Sequence, residues 1–164
     1  ELSGLDTSNL VGHLAAWNYF QSADNETNAK FIKTWKARMG KKRVTNDPME
    51  AHYIGFNMWA NAVKKAGTTD VDAVRTAMYG QKFPNLTGGT AEMLPNHHLT
   101  KPVLIGEIQA DGQFDIISQT DPVPGDAWTD FLSESAVLKS DWKTLNCGMY
   151  NTKTKTCVQI KSNY

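Results

Sequence analysis

The stretch "NDPMEAHYIGFNMWANAVKKAG", Asn46–Gly67, constrains the fold of this chain more than any other. Asp47 reads as an N-cap, Pro48 takes the favoured first helical position, and Glu50 completes an Asp-x-x-Glu capping box. Gly67 is placed to end the helix in a left-handed turn, with Lys64 and Lys65 beside the negative end of its dipole. Between these signals run two apolar stripes. Ala51, Ile54, Gly55, Met58, Trp59, Ala62 and Ala66 form one, and Met49, Tyr53, Phe56, Ala60 and Val63 the other. Only a narrow polar edge with Asn57, Asn61 and Lys64 is left for water. A helix apolar on two sides belongs in a layered α/β structure or against a second lobe.

The segments around it supply the other layers. "GHLAAWNYFQS", Gly12–Ser22, is aromatic and apolar between polar flanks and predicts a buried strand. Asp24 then caps a helix with Phe31, Ile32, Trp35 and Met39 at helical spacing. After the long helix, Asp70 caps a shorter one carrying Val71, Val74, Ala77 and Met78. "FPNLTGGTAEM" reads as turns, with Gly88 and Gly89 free to take positive φ. "VLIGEIQADGQFDIISQT" predicts two strands joined through Asp111-Gly112, a strong hairpin signal. Trp128, Phe131 and Trp142 stand in the tail. This order lacks the regular βα alternation of a complete doubly wound domain, so the chain reads as part of something larger.

Charge excludes one class of partner. Seventeen basic residues balance seventeen acidic ones, leaving no basic field to condense on nucleic acid. No apolar run reaches the roughly 18–20 residues that span a bilayer, and "ELSGLDTSNLVG" has no signal-peptide pattern. The two cysteines, Cys147 and Cys157 in "CGMYNTKTKTC", fit neither a zinc knuckle nor a CxxC redox motif. Gly148 and the polar run after it would let the segment reverse and bring the sulfurs together. Such a bridge would stabilise by roughly 2.5–3 kcal/mol and imply an oxidising compartment. Two free thiols in a cytosolic loop are the alternative.

Candidate chemistry is sparse. His97-His98 is the most conspicuous dipeptide, yet adjacent residues in an extended segment point to opposite sides and share a metal ion poorly. His13 and His52 are isolated. We expect no metal site, no cofactor and no catalytic residue: there is no Gly-x-Ser-x-Gly, no Ser-x-x-Lys, no Cys–His constellation and no phosphate loop. What remains is an aromatic and amide group, Trp17, Asn18 and Tyr19, with Asp47 and Glu50 at a helix start. These could line the pocket of a small polar ligand, or Trp17 and Tyr19 could be core and Asp47 merely a cap. Residues alone point to an extracytoplasmic α/β fragment that binds rather than catalyses.

Four stretches carry a resemblance. "GLDTSNLVGHLAAWNYFQS", "VTNDPMEAHYIGFNMWANAVKKAGTTDVDAVRTAMYGQ", "PNLTGGTAEMLPNHHLTKPVLIGEIQADGQFDII" and "CGMYNTKTKTC" resemble the urea-binding and short-chain-amide-binding proteins of bacterial ABC transporters. Those belong to the type I, branched-chain-amino-acid-type periplasmic binding proteins. The resemblance implies an α/β fold, here the C-terminal portion of a protein with two three-layer lobes. Residues 24–94 would pack on the first lobe. Residues 1–23 and 95–164 would supply second-lobe and crossover strands, the hairpin and the cysteine tail. It implies a periplasmic protein that binds urea or a short amide between its lobes and delivers it to a membrane permease, with no catalysis. Tyr19 and Asp47 are the implied ligand contacts, with Trp17 and Met49 beside them. Unpaired strand edges in such a fragment invite a homodimer or a strand-swapped assembly. An amide-sensing regulator on the same fold and a branched-chain amino acid-binding protein are the rival readings. An amidohydrolase comes third, for want of a nucleophile.

Overall fold

A computed structural model describes residues 2–125, 149–151 and 156–158. A short 3-10 turn at Leu2–Gly4 leads to strand β1 (Leu14–Trp17). Helices α1 (Glu26–Met39), α2 (Asp47–Ala66) and α3 (Val71–Met78) follow. Then come strands β2 (Lys82–Pro84), β3 (Thr90–Glu92), β4 (Leu104–Ile108) and β5 (Phe114–Gln119), with β6 (Met149–Asn151) and β7 (Thr156–Val158) in the tail. This is a mixed α/β fold, as expected. Every strand pair among the described residues is antiparallel.

The helix starts are set by side chains that satisfy orphan backbone donors. Asp70 caps α3 as expected, its Oδ1 accepting the Ala73 N–H at 3.0 Å, while the caps of α1 and α2 lie one residue from the expected position. Asn25, not Asp24, caps α1: its Oδ1 accepts the Asn28 N–H at 2.9 Å. Asn46, not Asp47, caps α2, accepting the Met49 N–H at 3.1 Å from an extended backbone. Asparagine and aspartate cap about equally well, so two adjacent candidates leave the choice to tertiary packing. The shift matters for function. Asp47 enters the first turn with its carboxylate released from capping, and Glu50 moves out of capping-box register. At the far end Gly67 does what was expected: it sits at φ 67° and its N–H reaches the Val63 carbonyl at 2.9 Å.

One face of α2 forms the core. Ile54, Met58 and Ala62, spaced at four, are completely buried. Ile54 and Met58 pack with Ala91 and Met93, flanked by Met78, Phe83 and Leu99, while Ala62 meets Val74 and Ala77 of α3. Thus α3 and the β2–β3 hairpin close over the same side of the helix. That hairpin, in a stretch read only as turns, is built on Gly88 and Gly89, both at positive φ. Tyr53 and Phe56 of the second stripe and Trp59 from the first are 39%, 58% and 45% exposed, so burial on two sides is not reached within the described residues.

The second sheet has the order β1-β4-β5. Trp17 pairs with Leu104 and Leu14 with Glu107. β4 and β5 form the expected hairpin, turning at Asp111-Gly112 with Gly112 at φ 75°. The predicted buried strand over Gly12–Ser22 is instead a short edge strand, with Leu14 60% and Trp17 43% exposed. Burial begins after it, at Tyr19 and Phe20. An edge strand pairs on one side only, and nothing among the described residues covers β1's outer face. Phe20 stacks on Phe114, ring centres 4.2 Å apart, directly over Gly106 at the register shift of β4. In the tail, β6 and β7 reverse on each other and pair Tyr150 with Cys157. The expected Cys147–Cys157 bridge lies outside the described residues.

A Cβ on Gly106 would come within 2.7 Å of the Phe20 ring and 3.0 Å of the Phe114 Cβ. Gly106→Ala should therefore lower stability by about 1–3 kcal/mol through overpacking. A denaturant midpoint shift at unchanged m-value checks it; an unaltered midpoint would mean that Phe20 moves aside freely.

Candidate functional site

The chain passes between the helices and the β1-β4-β5 sheet at three places: Asn18–Ala23 after β1, Val44–Asn46 before α2, and Thr100–Val103 before β4. Side-chain hydrogen bonds hold these passages together. The Asn18 amide donates to the Pro102 carbonyl at 2.9 Å. The Tyr19 hydroxyl donates to Asn28 Oδ1 at 2.9 Å and lies 2.7 Å from Thr45 Oγ1. Asn28 in turn donates to the Gln21 and Ala23 carbonyls, at 3.0 and 2.7 Å. Gln21 Oε1 accepts the Thr45 N–H at 2.9 Å. Burial pushes the Tyr19 phenol up to about 12, outweighing its two hydrogen bonds, so Tyr19 stays neutral.

Against this network lies a cavity of about 230 Å3. Its walls include Trp17 and Tyr19 from the first passage, Thr45, Asn46 and Asp47 at the head of α2, and Gln113 and Phe114 from the hairpin. Three of the four expected contacts, Trp17, Tyr19 and Asp47, thus meet at one place. Tyr19's hydroxyl is committed to Asn28 and Thr45, which leaves its body as the wall. Asp47 is different: its Oδ1 is buried without a hydrogen-bond partner. Burial holds its carboxyl above the ordinary range, opposed by the charge of Lys101.

Met49 does not join them. It lines a separate, larger groove of about 1060 Å3 between α1 and α2, walled by Phe31, Trp35, Tyr53, Phe56 and Phe83. Glu26, Lys30, Arg38 and His52 also line it, but its wall is more apolar in proportion than that of the smaller cavity. A ligand site combines apolar walls with a few convergent polar atoms, which favours the smaller cavity as the binding place.

The charged pair behind the cavity was not foreseen. Glu50 is completely buried and Lys101 is 9% exposed, and the Lys101 ammonium donates to Glu50 Oε2. The bond joins α2 to the passage into β4 across 51 residues of sequence. Burial raises the Glu50 carboxyl, the Lys101 charge lowers it, and Asp47 one turn away raises it again. A hydrogen bond from the Leu86 backbone N–H also favours the Glu50 carboxylate. The sequence held a signal: Glu50, Ile54, Met58 and Ala62 follow at intervals of four, so a carboxylate heads the buried row. Nothing local marks Lys101 as its partner.

The two histidines lie away from the cavity. His97 takes φ 62°, its ring edge-on to Tyr79 at 5.2 Å, and the His98 N–H donates to Asn96 Oδ1 at 3.0 Å. Among the described residues no group of three His, Cys, Asp or Glu side chains is placed to hold a metal ion, and no helix is long and apolar enough to cross a membrane.

The head of α2, two of the passages and the β4–β5 hairpin thus surround one cavity with a few polar groups among apolar walls, a candidate ligand site in an α/β fold. The chain belongs to the periplasmic binding protein domain family, which it matches over residues 1–134. Solved relatives share the fold at low identity. A periplasmic binding protein from Burkholderia mallei superposes with a TM-score of 0.64 at 16% identity, covering 78% of this chain and 34% of that one. An ABC transporter solute-binding protein from Rhodopseudomonas palustris, in complex with 3,4-dihydroxybenzoic acid, gives 0.63 at 21%, covering 71% and 32%. A leucine binding protein from Thermotoga maritima gives 0.59 at 18%, covering 70% and 32%. A curated relative from Geobacillus stearothermophilus, named limonene hydroxylase, is 34% identical over 135 residues, 81% of this chain and 25% of that protein. The chain thus spans about a third of the solved relatives and a quarter of the curated one.

Removing one partner of a buried ion pair strands a charge and costs about 3–5 kcal/mol, while replacing both by apolar groups is close to neutral. Lys101→Met should show the first cost, and Lys101→Met with Glu50→Leu should recover most of it. Denaturant unfolding of the single and double variants measures this. Additive losses would show that the two side chains are not coupled.

Proposed function

We propose that this chain is part of an extracytoplasmic solute-binding component of an ABC importer, and that its ligand is urea or a short-chain amide. A cavity walled by Trp17, Tyr19 and Asp47, the last with a buried Oδ1 that has no hydrogen-bond partner, carries the reading. Urea presents four N–H donors and one carbonyl, and a carboxylate that has no donor of its own is the acceptor such a ligand needs. The cavity is smaller than the roughly 300–1,000 Å3 typical of drug-sized ligands, in keeping with a solute of a few atoms. The four stretches that resemble urea-binding and short-chain-amide-binding proteins include every one of these residues.

In the complete protein the remaining contacts come from outside this chain. The exposed aromatic groove between α1 and α2 is the seat for the rest of the first lobe, and the periplasm is the compartment. Closure of the lobes sequesters the solute by hinge motion, and the closed form is read by the membrane permease. The protein binds without turning its ligand over. The hydroxylase name belongs to a protein of which this chain matches a quarter, and the described residues around the cavity include no serine, cysteine or histidine.

Calorimetric titration of the complete protein with urea, acetamide and leucine tests the reading. Saturable binding of urea or acetamide is expected, weakened about tenfold by Trp17→Ala through loss of the aromatic wall. Binding of leucine alone, the ligand that the Thermotoga relative's name records, would overturn the urea and amide assignment.

A further inference from the structure

We propose that Asp47, Glu50 and Lys101 act together as a charge filter for the cavity, leaving one negative charge in excess at Asp47, so that neutral or cationic N–H donors enter and carboxylate ligands are repelled. The inference rests on the reading of this cavity as the ligand site.

Three observations carry it. Two carboxylates, one turn apart on α2, face a single ammonium, because Lys101 lies in the passage ahead of β4 and is bonded to Glu50. That bond spends the positive charge on Glu50, which is completely buried and lines no part of the cavity. Asp47, the member that does line it, keeps an oxygen with no donor. The charged and titratable groups around Asp47 are Glu50 on its own helix, Lys101 from the opposite passage, and the neutral Tyr19 across the cavity. Among the described residues lining the cavity there is no cation. In a partly dehydrated space a like charge brought against a carboxylate is strongly disfavoured. Solved relatives of this fold include proteins complexed with benzoate and with 4-hydroxybenzoate; the charge balance here opposes an anion of that kind.

A proton on Asp47 would remove both the acceptor and the excess charge. Burial raises the carboxyl above its ordinary 3.8. Binding of an N–H donor is therefore full above that raised value and is lost as pH falls through it, beginning at higher pH than an exposed aspartate would give.

The test is calorimetric titration of the complete protein with acetamide and with benzoate, from pH 7.5 downward. The unaltered protein is expected to bind acetamide and reject benzoate. Asp47→Asn should weaken acetamide binding about 10- to 100-fold by removing a charged acceptor, shift the benzoate-to-acetamide ratio toward benzoate, and flatten the pH profile. Glu50→Gln, which lies outside the cavity, should shift the same ratio in the same direction by freeing the Lys101 charge. A role in folding alone would leave ratio and pH profile unmoved, and that result overturns the proposal. So does tight benzoate binding by the unaltered protein. Rejection of both ligands, with benzoate admitted by Asp47→Asn, supports the filter and overturns the urea and amide reading instead.

Discussion

The Lys101–Glu50 ion pair is the interaction on which the other features of this chain depend. It is buried at both ends and binds the body of α2 to the passage that feeds the sheet. Desolvating two charges costs several kcal/mol each, so such a pair is weak evidence of net stability. Its consequence is geometric. A lysine that must reach Glu50 fixes where the Thr100–Val103 passage runs relative to the head of α2. Asn18 then anchors to Pro102 of the same passage, and Tyr19 follows into the pocket formed by Asn28 and Thr45. The walls of the cavity are set by this sequence of constraints.

The pair also explains why Asp47 is in a position to act. With Asn46 as the cap, Asp47 has no backbone donor to satisfy, and Lys101 is already engaged one turn along. A carboxylate left in this condition is expensive inside a protein unless something else meets it. Natural sequences tend to carry such local costs at functional sites. The hydrogen-bonded Tyr19–Thr45–Asn28 group beside it is satisfied throughout and gives the cavity one rigid wall.

Much of the fold was legible in the residues. The long helix declared itself through Pro48, Gly67 and the four-residue rows, and the β4–β5 hairpin through Asp111-Gly112. What misled was degeneracy and absence. Asn25 beside Asp24, and Asn46 beside Asp47, offered two equivalent caps each, and local sequence does not choose between them. The aromatic stretch around Trp17 promised burial that requires a covering layer, and the described residues supply none. On α2, Phe56 and Trp59 are exposed for the same reason. Of the residues singled out for the site, Trp17, Tyr19 and Asp47 line one cavity, while Met49 lines the groove between α1 and α2. Lys101 was invisible because its partner lies 51 residues away and only the fold brings them together.

Lys101 holds Glu50 charged inside the protein against the burial that favours its neutral form. Carbon-13 NMR titration of the Glu50 side-chain carboxyl, in the unaltered protein and in Lys101→Met, tests this directly. Titration above the ordinary 4.5 is expected in the unaltered protein, moving further upward when the ammonium is removed. A Glu50 that titrates at the ordinary value, or that does not respond to loss of Lys101, would contradict it.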